Sequence, residues 1–510
     1  MALADKYRKA ISTFFVTGCA YGVNFLINFL LTPFITNTVG AEAYGFVTLA
    51  NNFIQYATIV SVALNSFATR HIAVSYHRGE FQKANTFYSS VFYGDLALAS
   101  LIFAVVFILV GSLDNLLAVP DDILADVKVL FMLTFIGFWV TTVFTAFSAS
   151  ALVKNKLDIV GIFKGISYIT EAVVLLVCYT LFPAKIAFVG LGVIAAALIV
   201  AVSNVWISRK FTPELRINRS YFSISAVRRL IGDGVWTSAN SLGNILNSGL
   251  DLIVCNLFLS PLSMGQLAIG KNIESIFYGL YTLVNQAFQP MFIKSFSEGD
   301  IDKLLAELKL SMKMSGLVAN VAFACFLALG YPFFNLWIPG QDIDAIYALT
   351  LLTVGLCIPN GAMQPLYYIY VLTVKRKIPC FVTLAGGILN VAGMLILIKS
   401  TDLGVYSVPI TTLVVMCIIN FIFNPLYMAY VLKVPLNTFY PCIMNNLVSC
   451  GLLCIVSYLL SLCCSPSSWF MLAVCLLIYT AFGCAVHFLV VCDRAQRQAL
   501  VDVIASRFSN

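Results

Sequence analysis

The chain has 510 residues, 60% of them hydrophobic and 10% charged, with a net charge of +7 and a mean hydropathy of +0.94. An ordinary soluble domain carries about 25% charged residues, so that class is excluded. Apolar runs of about eighteen residues or more recur along the whole sequence, each long enough to cross a hydrocarbon core of about 30 Å.

The basic arm Lys6, Arg8 and Lys9 suits an anionic membrane surface. The first span is expected at about 11–34; it is too long for a signal-peptide core, and no small-residue cleavage site follows it. A short turn leads to a second span at about 44–68, then to a polar, basic segment holding Arg70, Arg78 and Lys83. Spans three to six are expected at about 86–110, 127–150, 158–182 and 186–207. A basic loop, 208–231, joins the halves. Spans seven to twelve follow at about 232–258, 264–290, 314–337, 346–372, 380–398 and 404–430, and two more at about 441–462 and 468–491.

With a cytoplasmic N-terminus, every Lys and Arg except Lys128, Lys164, Lys185, Lys271 and Lys399 falls in a cytoplasmic segment. That asymmetry is the positive-inside rule, and it accounts for the net charge without nucleic acid. About fourteen spans and cytoplasmic N- and C-termini support each other. The fifteen cysteines form no CxxC pair and no Cys/His cluster at metal spacing, so no metal or cofactor is expected. Cys463 and Cys464 lie in an expected outer loop.

The halves are duplicated. At an offset of 220 residues, Gly45 falls on Gly265, Asn52 on Asn272, Asn65 on Asn285, Ser75 on Ser295, Gly79 on Gly299 and Lys83 on Lys303. Further upstream, Asn24 falls on Asn244. Six spans per copy is an even number, so both copies enter the membrane from the same side as parallel repeats. The expected organisation is an N-terminal lobe over 1–215, a C-terminal lobe over 216–432, and two further helices with a tail over 433–510.

Polar groups in a lipid-crossing helix must face protein or water. In span seven Asn240, Asn244, Asn247 and Asp251 step by four, three and four, which keeps them on one face. Span eight carries Lys271, Glu274, Tyr278, Tyr281 and Asn285 at the same rhythm. Span two carries Asn51, Asn52, Gln55, Thr58 and Asn65, and span one carries Tyr21, Asn24 and Asn28. The four stripes are expected to point into one water-filled cavity; the competing reading is that each polar group bonds a neighbouring helix. Lys271 is a candidate contact for a substrate anion, or one half of a structural pair with Glu274. Asp95, Glu171 and Glu274 are candidates for ion coupling, whereas Lys164 is placed to snorkel. Arg70 is a candidate for an entering phosphate, or for lipid headgroups.

The run Val39 to Phe53, VGAEAYGFVTLANNF, followed by Thr69-Arg70-His71-Ile72-Ala73 and by the segment Gly79 to Ala84, resembles the polysaccharide-biosynthesis exporters. These are the Wzx-type lipid-linked oligosaccharide flippases of the multidrug/oligosaccharidyl-lipid/polysaccharide superfamily. The resemblance implies an all-α polytopic membrane protein with two six-helix pseudo-symmetric, MATE-like lobes and two C-terminal helices. It implies a non-enzymatic transporter in a bacterial cytoplasmic membrane. Its substrate would be an undecaprenyl-diphosphate-linked repeat unit of O-antigen, capsule or exopolysaccharide, flipped by alternating access. Its partners would be that substrate and membrane lipids, with a polysaccharide polymerase as a further candidate; the energy source would be a proton or sodium gradient, or consumption of the product outside. The family's usual cationic cavity is matched here only by Lys271, partly offset by Glu274 and Asp251. A multidrug or metabolite antiporter of the same superfamily is the alternative. No GxxxxGK[ST] sequence is present, which argues against ATP hydrolysis within this chain.

Overall fold

A computed structural model of the chain describes residues 22–491, apart from Asn24, Val374, Arg376, Cys464 and Ser465. The N-terminal arm, Tyr21, Asn24, Cys464 and the C-terminal tail named above therefore lie outside the described residues. Among the described residues all regular structure is helical, as backbone crossing lipid requires. Eleven of these helices are long and apolar enough to cross a membrane. The segment Phe25–Val39 forms a shorter apolar helix, α1.

In chain order there follow α2 (Ala41–Asn65), α3 (Ala68–His77), α4 (Phe81–Gly111), α5 (Leu124–Val143), α6 (Leu157–Leu181), α7 (Ala187–Phe211), α8 (Ile224–Ser248), α9 (Asp251–Phe258) and α10 (Pro261–Ser297). Beyond these lie α11 (Ile301–Trp337), α12 (Ile343–Val354), α13 (Lys377–Ser400), α14 (Ser407–Ile418), α15 (Asn424–Leu432), α16 (Tyr440–Cys463) and α17 (Trp469–Val491). Neither α8 nor α10 is among the eleven apolar spans; these are the helices that carry Asn240, Asn244, Lys271 and Glu274. The expected count of about fourteen is approached rather than established.

The residues fall into two compact units, one up to Gly265 and one from Gln266. This division is one of packing, and it assigns α8 to the first unit; the repeat boundary near 215 concerns ancestry and remains a proposal. Two positions paired at the expected 220-residue offset share a local geometry. Gly79 and Gly299 end α3 and α10 at φ 76° and 75°. At both positions the next amide closes back on a serine carbonyl, Glu80 N on Ser75 O at 3.0 Å and Asp300 N on Ser295 O at 3.1 Å. Both are Schellman-type stops, and both favour glycine because φ is positive.

In the first unit α8 runs closely along α2. A Cβ on Gly234 would lie 2.0 Å from the Ala63 carbonyl oxygen, and one on Gly45 would lie 2.9 Å from Cα of its repeat mate Gly265. Small residues at a helix crossing allow such backbone approach in membranes. The chain breaks between α8 and α9, and Gly249 O, at the end of α8, accepts instead from Asn52 Nδ2 at 3.4 Å and from the Tyr56 hydroxyl. A carbonyl released in a membrane helix needs such a replacement donor.

The loop expected at 208–231 is shorter, because α7 runs on to Phe211 and α8 begins at Ile224; the connection 212–223 is a tethered strap along α4. Asn85 donates to Glu214 O and accepts from Arg216 N at 2.9 Å; Ser89 accepts from Asn218 N, and Ser90 from Ser223 N at 3.0 Å. The Tyr76 hydroxyl donates to Glu214 at 3.0 Å, and Lys154 Nζ stands 4.8 Å above the Tyr76 ring. Hydrogen bonding from its own backbone, then from Tyr76, together with the Lys154 charge, lowers the pKa of the exposed Glu214 carboxyl. A depressed carboxylate stabilises above its unfolded-state pKa, and that stabilisation is lost as pH falls through the folded value. Glu214→Gln, which mimics the protonated state, should raise amide hydrogen exchange across 212–223 severalfold at neutral pH. Unchanged exchange would show that Glu214 does not hold the strap.

The second unit is built around α11, flanked by α16 and α17. His487 on α17 is buried, bonded to Ser449 on α16 at 2.8 Å and to Lys313 O on α11 at 3.2 Å. The expected single span at about 346–372 is broken into α12, Cys357–Gly361, the 3-10 turn Gln364–Tyr367 and Tyr368–Thr373. A π-helical turn, Ile419–Phe423, joins α14 to α15.

Candidate functional site

In the first unit the polar stripes separate into exposed and bonded members. Asn51 and Gln55, four residues apart on α2, are exposed, as are Asn240 and Asn244, four apart on α8, and Asn28 on α1. Asn52 faces the other way and bonds Gly249 O. Asn247 is buried and donates to Gly243 O at 2.8 Å. Asp251 is buried within electrostatic reach of Tyr56. Asn52 and Asn247 therefore bond backbone carbonyls of α8, as helix-bonding groups would, whereas Asn51, Gln55, Asn240 and Asn244 are exposed.

Asp95 on α4 has no exposed surface. Asn65 Nδ2 donates to its Oδ1 at 2.8 Å, and Oδ2 has no hydrogen-bond partner among the described residues. A buried carboxyl with one orphan oxygen is costly when ionised. Glu171 on α6 is half-buried, its Cγ against Gly192 on α7. Lys164 is exposed, consistent with a snorkelling side chain.

Arg70 lies apart from the mid-helix polar residues. It lines a separate pocket of about 420 Å³ with Phe67, His71, Val74, Arg78 and Arg229 among its walls.

In the second unit Lys271 and Glu274 are half-buried on α10, and Tyr278 is 48% exposed. Tyr281 is buried, with Glu274 within electrostatic reach of it and of Cys357. Gln364 Nε2 donates to the Tyr278 hydroxyl at 3.4 Å, and Asn285 Nδ2 to Gln364 O at 3.3 Å. Next in chain order, the broken helix and the π turn bring together groups that the sequence reading missed. The Tyr367 hydroxyl donates to Asn420 Oδ1, and Asn420 Nδ2 donates to Asn360 Oδ1 at 2.6 Å. Asn424 donates to Asn420 at 2.8 Å and to Tyr367 at 3.1 Å, and Tyr370 donates to Asn424 Oδ1 at 2.8 Å. The available signal was Asn420 and Asn424 at four-residue spacing inside an apolar run. A π turn inside a helix often marks a functional position, and this one carries a well-bonded polar network.

Together these features describe a polytopic α-helical membrane protein with polar and ionisable side chains inside its spans. The fold is that of known membrane transporters. A multidrug resistance MATE family transporter of the MOP superfamily, in an inward-facing conformation, superposes with TM-score 0.62 at 15% identity, over 80% of this chain and 96% of that one. The lipid II flippase MurJ, in an inward closed conformation, superposes with TM-score 0.61 at 14% identity, over 94% and 99%. The chain belongs to the polysaccharide biosynthesis protein family, whose profile matches residues 11–296. It is also 28% identical, over 413 residues, to the uncharacterized membrane protein EpsK of Bacillus subtilis (strain 168), a match covering 80% of this chain and 81% of that protein.

Proposed function

We propose that this protein carries a polyprenyl-diphosphate-linked oligosaccharide from the inner to the outer leaflet of a bacterial cytoplasmic membrane, with both termini in the cytoplasm. The observation that carries the reading is membership of a polysaccharide biosynthesis family in a chain with a transporter fold. In the first unit the sugar hydroxyls pass Asn51, Gln55, Asn240 and Asn244. In the second, Lys271 attracts the anionic head, and Glu274 and Tyr278 provide hydrogen bonds. Transport proceeds by alternating access, and a ligand biases that equilibrium only by its differential affinity for the two states. Asp95, Glu171 and Glu274 are the carboxyls proposed to couple a proton or sodium ion, and a polysaccharide polymerase is the proposed downstream partner. The protein acts as a carrier and not as an enzyme.

Lys271→Ala is expected to cut surface polysaccharide severalfold at unchanged membrane abundance, because a mid-span cation facing its anion is strongly favoured. Normal surface polysaccharide in that variant would remove Lys271 from the mechanism. Deletion of the gene should make lipid-linked oligosaccharide accumulate on the cytoplasmic face. Hypersensitivity to cationic dyes without that accumulation would favour a drug antiporter instead.

A further inference from the structure

The Arg70 pocket has features that the mid-span residues do not explain. Three helices build it. Arg70, Val74 and Arg78 step by four along one face of α3 and its C-terminal cap, Lys83 and Phe87 do so on α4, and Arg229 and Asp233 do so on α8. The serine and asparagine contacts of α4 anchor the strap leading into α8, so Arg229 and Asp233 arrive opposite α3 on an ordered backbone. His71 Nε2 meets Asp233 Oδ2 at 2.9 Å and stacks on Phe87, with centroids 4.9 Å apart.

The charges at this pocket are unbalanced. Asp233 is engaged by His71, and Lys83 is held by Glu80 at 3.0 Å. Arg70, Arg78 and Arg229 have no ion pair among the described residues. Three guanidinium groups converging on one cavity repel one another unless an anion or water screens them. The guanidinium fork matches phosphate oxygens with two parallel hydrogen bonds, which a lysine point charge does not. A volume of about 420 Å³ falls within the range of about 300–1,000 Å³ common to small-molecule sites. Phe67, Val74 and Phe87 give it an apolar wall.

We propose that this pocket binds a phosphate ester at the membrane surface, through Arg70, Arg78 and Arg229, and that Asp233 positions His71 against Phe87 to shape its wall. Two sources share this chemistry: the diphosphate of a polyprenyl-linked glycan, and the headgroup of an anionic phospholipid. Only the first source rests on the transport function proposed above. The pocket is then a docking point ahead of the mid-span residues.

The test is calorimetric titration of inorganic pyrophosphate into the full-length protein in neutral detergent. Saturable binding is expected, weakened at least about tenfold in the triple variant Arg70→Gln/Arg78→Gln/Arg229→Gln, a change of about 1.4 kcal/mol. Arg228→Gln, an exposed cation outside the pocket lining, should leave the affinity within about twofold. Should the triple variant fail to fold, Arg78→Gln alone is expected to weaken binding about threefold. Absence of saturable binding, or equal losses in the pocket and Arg228 variants, overturns the site. Competition by farnesyl diphosphate assigns the site to the polyprenyl source; competition only by phosphatidylglycerol in nanodiscs assigns it to membrane lipid. Both competitions support a phosphate-ester site. Because the readout is binding, the pocket stands or falls independently of export.

Discussion

Gly234→Val should lower the melting temperature of the detergent-solubilised protein by several degrees, whereas Gly232→Val should leave it nearly unchanged. Both glycines lie on α8. The added Cβ at position 234 would sit 2.0 Å from the Ala63 carbonyl oxygen and 2.7 Å from Ser66 Oγ, while at 232 nothing lies within 4 Å. A carbonyl of a packed helix cannot rotate aside as a long side chain would, so α2 and α8 must separate. Overpacking of this kind costs about 1–3 kcal/mol and occasionally more, and the main-chain clash places this case at the upper end. Separation would also disturb the Ser238 bond to Ile59 O, 2.9 Å long, and the donors to Gly249 O. Equal melting temperatures for the two variants would mean that the close approach of α2 and α8 contributes nothing to stability.

Asn65→Leu should destabilise the protein by about 1–3 kcal/mol, because it removes the hydrogen bond to a carboxyl with no exposed surface. The loss should largely disappear when Asp95 is replaced as well, since an absent carboxyl needs no donor. A double-mutant cycle of Asn65→Leu with Asp95→Leu should therefore give a coupling of about 1–3 kcal/mol. Additive losses would indicate that the two side chains act independently. Asp95→Asn keeps the shape and one acceptor oxygen but can no longer exchange a proton. If Asp95 serves ion coupling, this variant should fold normally while its transport no longer responds to an imposed proton gradient. A gradient response equal to wild type would assign coupling elsewhere, to Glu171 or Glu274 among the carboxyls named.

Much of the architecture was legible because lipid leaves few choices for a backbone. Long apolar runs had to become helices, and the run near 404–430 did so despite its π turn. The helix stops at Gly79 and Gly299 were legible, because positive φ restricts the residue type. The division of the polar stripes was not legible. Asn51 and Asn52 are adjacent and chemically identical, yet one is exposed and the other bonds Gly249 O, because that carbonyl is released by a helix break more than 190 residues away along the chain. The cluster of Asn360, Tyr367, Asn420 and Asn424 was missed for a related reason. Its members sit in segments that read as ordinary spans until the helix containing Gln364 breaks and the π turn shifts Asn420 into register.

The sequence by itself determined that the chain is an all-helical membrane protein of this family, since composition and span length act locally. Only the tertiary structure decided which polar groups are spent on neighbouring helices and which stay exposed, and that Arg229 joins Arg70 and Arg78. Those outcomes depend on where distant backbone atoms lie, and helical periodicity fixes the face of a residue without naming what that face will meet.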